Sequence, residues 1–456
     1  MNLMRPTWKA LAVIALTAVV YIPNGQAEPQ RYTAPQVRAD IDAIEVGIAQ
    51  THPDLAHSVQ LTHVTQALLD LRRRVHDGMD QDAVWRELST LNPLFADAHL
   101  FVTYPSWRGE TQRHLEEGHT LFPFEVSVDP SGHVRILTEL GGAPSPHMGA
   151  TIDSINGMSA RDIARGLLAH VHGDSLRFRA DLLSKRWWFF YWKVHGAPTS
   201  FDIALQNSDA VPLRLPGSNS LPAMMIGEDD FDHNFAIELR PDGVALMTVR
   251  TFSWSEPEAF FEFTRRWFQQ MRTAGTRTLL IDVRQNGGGD DALWLKGLLP
   301  YIADRPYRWA SRYTKRVLTD NPAKQERAGD VLSGSVDTWM SPPSDDPLHF
   351  DGEVYVLVGA GTYSSAVLFA NTVQDFKFGT LVGEGSSVRT TQTGGIQRIE
   401  LPNSALVLWS PRFVLTRPSG TPSPQWLTPD IEVADDPLDP QAMINAAHLA
   451  STSGKR

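Results

Sequence analysis

The sequence predicts a multi-domain α/β protein, because its apolar residues follow three successive patterns. Residues 33–94 repeat apolar positions at helical spacing, residues 122–215 alternate in short runs that indicate strands, and residues from 241 onward place buried strands between helices. Strands that alternate with helices favour βαβ units with right-handed crossovers. A chain of 456 residues is long enough for two or three packed domains.

The composition narrows the possible functions. The chain has no cysteine, which excludes cysteine nucleophiles and metal–thiolate sites. Its formal net charge of −11 disfavours nucleic acids and anionic lipid surfaces as partners, because both carry negative charge. We expect neither a metal nor another cofactor, and the sequence does not predict the oligomeric state.

The N-terminus has the three parts of a signal peptide. Arg5 and Lys9 lie in a basic region, residues 10–21 are apolar, and "GQA", ending at Ala27, is a small-residue cleavage site. The apolar run is shorter than the roughly 20 residues of a membrane-spanning helix; an uncleaved anchor is the alternative. We expect cleavage after Ala27 and a periplasmic or secreted protein that begins at Glu28.

The next region is predicted to be helical. In "TAPQVRADIDAIEVGIAQ", Pro35 lies in the first turn and the apolar residues share one face. Further helices are predicted near residues 62–75 and 80–91, the second opened by Asp80 as an N-cap. "FADAHLFVTY", residues 95–104, then predicts a turn that leads into a strand.

The middle region is predicted to consist mostly of strands. "FPFEVSVDPSGHVRIL" predicts a hairpin, and "GATIDSINGMSARDIARGLLAHV" predicts a strand, an Asn156-Gly157 turn and a helix from Ser159. The second arrangement resembles a PDZ-like module, which binds an extended peptide in a groove. The aromatic run "KRWWFFYWK", residues 185–193, favours core or inter-domain packing over a ligand surface.

A candidate nucleophile lies in "VGAGTYSSAVLFA", residues 358–370, where a strand ends and a helix is expected to start at about Ser364. A serine there lies where free backbone N–H groups and the positive end of the helix dipole converge, as an oxyanion requires. The alternative is that Ser364 only caps the helix.

A triple glycine follows another predicted strand, in "LLIDVRQNGGGD". Gly287, Gly288 and Gly289 allow close approach of the backbone to a bound chain, or N–H groups aimed at a carbonyl oxygen. Nucleotide binding is disfavoured, because the stretch lacks both the Lys-Ser/Thr of a P-loop and G-x-G-x-x-G spacing.

The pairing of "IDVRQNGGG" with "GTYSSAVLFANTVQDFKFGTLVGE" resembles the serine peptidases of family S41, which include the carboxy-terminal processing or tail-specific proteases and their tricorn-like relatives. The resemblance covers roughly residues 243–433. It implies a crotonase-like (ClpP/crotonase) catalytic domain and Ser364 as the nucleophile. It also implies an oxyanion hole formed by the backbone N–H of Gly287 or Gly288 together with that of Ser365.

The resemblance also bears on the base. In carboxy-terminal processing proteases the base is a lysine, but the matching position in "VGEGSSVRTTQTGG" is Arg389, which stays protonated and cannot accept a proton. The tricorn-like branch uses a histidine before a strand. "FADAHLFVTY" places His99 there, so this branch implies His99 as the base; a structural histidine is the alternative.

No residue that orients His99 can be named from the sequence. The tricorn-like branch uses a serine beside the histidine and a glutamate shortly before a "PD" dipeptide. This chain has Ala98 beside the histidine, and Ser423 or Gln425 where the acid is expected.

The resulting hypothesis is an exported serine peptidase that cleaves peptide or protein substrates through a Ser364 acyl-enzyme. A non-catalytic peptide or apolar-ligand binding protein on the same scaffold is the alternative. An α/β-hydrolase esterase is disfavoured, because no G-x-S-x-G elbow surrounds a plausible serine.

The predicted parts are a signal peptide (1–27), an N-terminal helical domain (28–117), a PDZ-like module (118–235), the catalytic domain (236–440) and a tail (441–456).

Overall fold

The computed structural model describes residues 30–206, 211–343, 346–421 and 423–453. The predicted signal peptide, residues 1–27, lies outside this part of the chain. Within it, no helix has both the length and the apolar character needed to cross a membrane.

The N-terminal region is helical, as predicted, and its first helix buries the predicted apolar face. Pro35 lies in the first turn of that helix, and the side chains of Val37, Ile41, Ile44 and Ile48 are buried. The elements of this region are α1 (Ala34–Thr51), α2 (Leu61–Arg74), α3 (Gln81–Leu88), α4 (Asn92–Phe95), β1 (Phe101–Thr103) and α5 (Trp107–Glu116). Asp80 caps α3 by accepting from the Ala83 N–H, as expected.

The middle region contains an antiparallel sheet and three helices. Its elements are β2 (Phe124–Val128), β3 (Val134–Glu139), β4 (Thr151–Ile155), β5 (Met158–Ser159), α6 (Ala160–Leu168), α7 (Leu176–Lys185), α8 (Trp187–His195), β6 (Ser200–Leu205) and β7 (Leu213–Pro216). The strand order is β2-β3-β4-β6-β7, so β2 is an edge strand. The predicted hairpin is β2–β3, and Asn156 and Gly157 form the predicted turn with positive φ.

The aromatic run forms α8 and packs in the core, as predicted. Its buried side chains are Trp187, Trp188, Phe189, Phe190 and Tyr191. They belong to one apolar cluster with residues of α1, α2 and β2, so the N-terminal and middle regions share a core.

The region from residue 231 is built on a six-stranded sheet. Its elements are α9 (Phe231–Asn234), β8 (Phe235–Leu239), β9 (Val244–Val249), α10 (Pro257–Ala274), β10 (Thr278–Asp282), α11 (Asp291–Gly297), α12 (Leu299–Ile302), β11 (Arg312–Arg316), β12 (Val331–Ser335), β13 (Glu353–Val358), α13 (Ser365–Phe376), β14 (Thr380–Gly383), β15 (Gln392–Gly394), β16 (Gln397–Glu400), β17 (Val407–Ser410), β18 (Phe413–Thr416), β19 (Ile431–Glu432) and α14 (Gln441–Ser453). The sheet order is β19-β14-β13-β10-β9-β8. All neighbouring pairs are parallel except β8 with β9.

The parallel pairing places two loops side by side. β10 and β13 are almost entirely buried, which explains their continuous apolar sequences. Asp282 at the end of β10 pairs with Leu357 near the end of β13. The glycine loop after β10 and the serine turn after β13 therefore leave the same edge of the sheet.

Two smaller antiparallel sheets complete the fold, and one of them contains β1 of the N-terminal region. One has the order β12-β11-β18-β15 and the other β1-β17-β16. β1 begins two residues after His99, and its Phe101 pairs with Trp409 of β17. This pairing holds the segment around His99 against the C-terminal half of the chain.

Candidate active site

Ser364 has a strained backbone between β13 and α13. Its φ of 54° and ψ of −122° lie in a region that residues with a Cβ rarely adopt and that persists only where the surroundings enforce it. The helix begins at Ser365, so Ser364 occupies the N-cap position, but its side chain makes no capping hydrogen bond. Its N–H donates to Gln392 Oε1 over 3.1 Å.

Gly288 packs directly against this serine. A Cβ on Gly288 would lie 2.7 Å from Ser364 Cβ and 2.9 Å from Ser365 N, and its φ is +101°. Only glycine fits such a position without a shift of the backbone. The glycine loop and the serine turn are thus in contact, as the paired motifs predict.

The three predicted oxyanion donors differ in their hydrogen bonds. The Gly288 N–H donates to Asn286 Oδ1 over 2.9 Å. In the described part of the chain, the N–H groups of Gly287 and Ser365 donate to no protein acceptor. Gly287 and Ser365 are therefore the donors that remain free for an oxyanion.

Ser365 is distinguished from Ser364 by its side-chain contacts. Its hydroxyl donates to Asp291 Oδ1 and lies 2.9 Å from Trp294 Nε1, which donates to it. Burial raises the pKa of Asp291, and the hydrogen bonds from Ser365 and Trp294 oppose that rise. Ser365 is a fully bonded structural hydroxyl, whereas Ser364 is not.

His99 is buried, with 4% of its surface exposed, and a hydroxyl relay holds its ring. His99 Nδ1 lies 2.9 Å from Thr393 Oγ1, and Thr393 Oγ1 donates to Asp97 Oδ1 over 3.0 Å. Because the only hydroxyl proton of Thr393 goes to Asp97, its oxygen accepts from Nδ1–H. This assigns the tautomer in which Nε2 carries the free lone pair.

The environment of His99 favours a neutral ring. Burial lowers the pKa of His99, while the charge of Asp97 and a hydrogen bond with the backbone of Thr393 oppose that change. A neutral imidazole can accept a proton at neutral pH, as a general base must.

His99 and Ser364 contact the same neighbours. The ring of Tyr363, the residue before Ser364, lies 4.8 Å from the His99 ring between centroids. On β15, Gln392 binds the Ser364 N–H and the next residue, Thr393, binds the imidazole. The structure thus brings the two predicted catalytic residues into one site.

Arg389 anchors the loop that carries His99. Its Nη1 donates to the Ala96 carbonyl oxygen, and its N–H donates to Asp174 Oδ2 over 3.0 Å. Its guanidinium lies 5.1 Å from the ring of Trp426. Arg389 therefore fixes the backbone of the loop that carries His99.

Sequence reasoning missed Thr393, Gln392 and Asp174. The sequence named no acid for His99, because Ser423 or Gln425 stands where the tricorn-like branch has one; in the structure the carboxylate behind His99 is Asp97, which also accepts the His99 N–H over 2.7 Å. The nearness of Asp97 to His99 in sequence was a usable signal. No local pattern marks the other three, because their partners are distant in sequence.

The chain is similar to known proteins in part of its sequence and in its fold. Residues 243–433 match the model described as "Peptidase family S41". The structure titled "Crystal Structure of cpaf s499a mutant" has a TM-score of 0.65 at 12% identity, and "Crystal Structure of mature CPAF" has 0.62 at 13%; each match covers 92% of this chain and 96% of the other. A comparison with curated proteins gives no significant match.

At these identities the structural neighbours show the fold alone, a mixed α/β architecture. The family match and the fold together define the class of protein as a serine-type peptidase. Residues 243–433 belong to peptidase family S41, a family whose substrates are peptides or proteins.

Proposed function

We propose that the protein is an exported peptidase that hydrolyses peptide bonds through an acyl-enzyme on Ser364. One observation carries the assignment of the nucleophile. Ser364 has strained backbone angles at a helix N-terminus, its hydroxyl does not cap the helix, and Gly288 packs against it. Strain of this kind clusters at functional sites.

The proposed reaction uses His99 as base. Nε2 of His99 takes the Ser364 hydroxyl proton while the oxygen attacks the substrate carbonyl carbon, and the negative charge moves to the carbonyl oxygen. The N–H groups of Ser365 and Gly287 stabilise that charge. The Gly288 N–H can also donate to the oxyanion, but only after its hydrogen bond to Asn286 Oδ1 breaks. His99 then protonates the leaving amine, and water hydrolyses the ester.

Thr393 and Asp97 supply the orientation that the sequence left unassigned. Thr393 accepts from Nδ1 of His99, and Asp97 accepts from Thr393. This keeps Nε2 unprotonated and stabilises the imidazolium that forms during attack. The pair stands in for the serine and glutamate that the tricorn-like branch uses.

We also propose the finer architecture. Residues 236–440 form a crotonase-like catalytic domain, residues 28–117 an N-terminal helical domain, residues 118–235 a PDZ-like module, and residues 441–456 a tail. The antiparallel strands and the turn before α6 support the PDZ-like assignment.

One contact limits peptide binding by that module. The Ser184 hydroxyl of α7 accepts from the N–H of Val128 over 2.7 Å and donates its own proton to the Ala180 carbonyl oxygen over 2.8 Å. Val128 lies on the edge strand β2, so α7 covers the edge that an added strand would use.

The proposal of export rests on residues 1–27 and has its own test. A signal peptide with cleavage after Ala27 predicts a mature N-terminus at Glu28. Mass spectrometry of the protein recovered outside the cytoplasm measures this. Retention of residues 1–27 would replace export with an uncleaved anchor.

Labelling with a fluorescent fluorophosphonate, which reacts with activated serines, tests the proposed nucleophile. We expect the wild type to be labelled, Ser364→Ala to be unlabelled and Ser365→Ala to remain labelled, because the Ser365 hydroxyl makes only structural contacts and alanine keeps the backbone N–H. Label that persists in Ser364→Ala would reject the assignment. A wild type without label would favour the non-catalytic binding protein.

A further inference from the structure

One buried carboxyl group joins the three segments that build the site. Asp174 lies just before α7. Its Oδ1 accepts from the Tyr363 hydroxyl over 3.0 Å and from the Ala98 N–H over 3.2 Å, and its Oδ2 accepts from the Arg389 N–H over 3.0 Å. Ala98 precedes His99, and Tyr363 precedes Ser364.

The third contact, the hydrogen bond from the Arg389 N–H, holds the segment that leads into β15, the strand that binds both Ser364 and His99. Arg389 lies three residues before Gln392, which binds the Ser364 N–H, and four before Thr393, which binds His99. One side chain therefore contacts the base loop, the nucleophile turn and the approach to β15.

Tyr363 is clamped from several sides. Its N–H donates to the Asn286 carbonyl oxygen over 2.9 Å, and its ring lies 4.9 Å from the ring of Phe178 on α7. The Ala98 N–H also donates to its hydroxyl over 3.2 Å. Because the next residue, Ser364, has strained angles, the support of Tyr363 bears directly on whether that strain can persist.

A carboxylate at this position is costly. Burial first, and then the neighbouring Asp97, raise the pKa of Asp174 to about 6, although Arg389 and the bond from Tyr363 oppose that rise. Buried ionised groups contribute little to net stability and are often replaceable by neutral ones. In return, Asp174 fixes the relative positions of three segments that are distant in sequence.

We propose that Asp174 is a positioning residue that sets the placement of His99 relative to Ser364. The inference rests on the proposed function of these two residues. Asp174 touches no reacting atom. It acts through Ala98, Tyr363 and Arg389, whose N–H it accepts and whose Nη1 lies 3.7 Å from its Oδ2.

The chain offers a matched control in Asp40 on α1. Asp40 is fully buried and also accepts two backbone N–H groups, those of Asn403 and Ser404, each over 2.9 Å. It joins α1 to the turn between β16 and β17 and contacts none of the site residues. Asp174→Asn and Asp40→Asn therefore make the same chemical change at two buried sites, of which only one adjoins the site.

The experiment measures the inactivation of the full mature chain by the fluorophosphonate over a range of probe concentrations. This separates kinact, the rate of the chemical step, from KI, which reports probe binding. We expect Asp174→Asn to lower kinact by about 10- to 100-fold, since displacements near 1 Å have effects of this order. KI should change little, because no contact with the probe is removed. Asp40→Asn should keep the wild-type kinact even if its Tm falls.

Tyr363→Phe keeps the ring and removes only the hydroxyl that Asp174 holds, so it tests the same link if Asp174→Asn folds poorly. It should lower kinact in the same direction, and the double variant should lose less than the two single effects combined. A wild-type kinact in folded Asp174→Asn, or in Tyr363→Phe if the former does not fold, would overturn the inference. A wild type that is never labelled would instead refute the proposed function.

Discussion

Ser364 and His99 lie in one site, but the turn that carries Ser364 is built by adjacent strands of one sheet, whereas the loop that carries His99 is held by side chains from distant parts of the chain. The serine turn follows β13, and the glycine loop that supports it follows the neighbouring strand β10. The His99 loop depends on Thr393 and Arg389 near β15 and on Asp174 before α7.

The difference has an energetic basis. Parallel pairing of buried strands brings the two loops together as part of the main core, so that the serine half of the site is maintained mainly by apolar burial, to which Asp174 and Gln392 add single polar contacts. The His99 half depends on a buried polar network, in which each partner matters because an unsatisfied buried group is expensive. Substitutions should therefore act on the two halves in different ways.

The largest effect is expected for His99→Ala. Removing the base should lower turnover by about 10⁴- to 10⁶-fold, the range seen when a member of a serine–histidine pair is lost. Hydrolysis of fluorescently labelled casein measures it. His63→Ala, a change on the surface of α2, is the control and should retain activity. Equal rates for His99→Ala and wild type would remove His99 from the mechanism.

The next effect tests the serine half. A Cβ on Gly288 would clash with Ser364 Cβ at 2.7 Å, so Gly288→Ala should displace the serine turn and lower kcat by about 10²- to 10³-fold, as for a damaged oxyanion hole. Gly287→Ala should cost much less, because no atom lies within 4 Å of its added Cβ. The reverse order of the two rates would show that the loop moves before reaction.

A smaller effect is expected for the hydroxyl relay. Thr393→Val keeps the shape of the side chain but leaves Nδ1 of His99 without an acceptor, so turnover should fall by about 10- to 100-fold, below the full effect of a lost base. Thr393→Ser, which keeps the hydroxyl, should restore most of the activity. If the valine and serine variants were equally active, the relay would have no part in orienting His99.

The smallest effect is a shift of the pH profile. Burial lowers the pKa of His99, so the acid limb of kcat/KM should have its midpoint below 6.5, the value for an exposed histidine. The same shift makes folding less stable as the pH falls from 6.5 through the lowered pKa, because the unfolded chain then binds more protons. A midpoint above 6.5 would mean that the charge of Asp97 outweighs burial.

The sequence by itself determined the order of the elements and much of the serine half. The helical and strand periodicities placed α1, β10 and β13 correctly, because they reflect contacts within a few residues or within one layer of the sheet. The motifs also singled out the glycine loop, Ser364 and His99, and they excluded Arg389 as a base on chemical grounds alone.

Only the tertiary structure decided what holds the His99 half together. Thr393 binds the His99 ring, and Asp174 contacts both the His99 loop and the serine turn, while Gln392 binds the Ser364 N–H. Two further contacts also required the tertiary structure. Ser184 covers the edge of β2, and Asn286 accepts from the Gly288 N–H. Such contacts join residues far apart in the chain, and a single polar side chain carries no local pattern that names its partner.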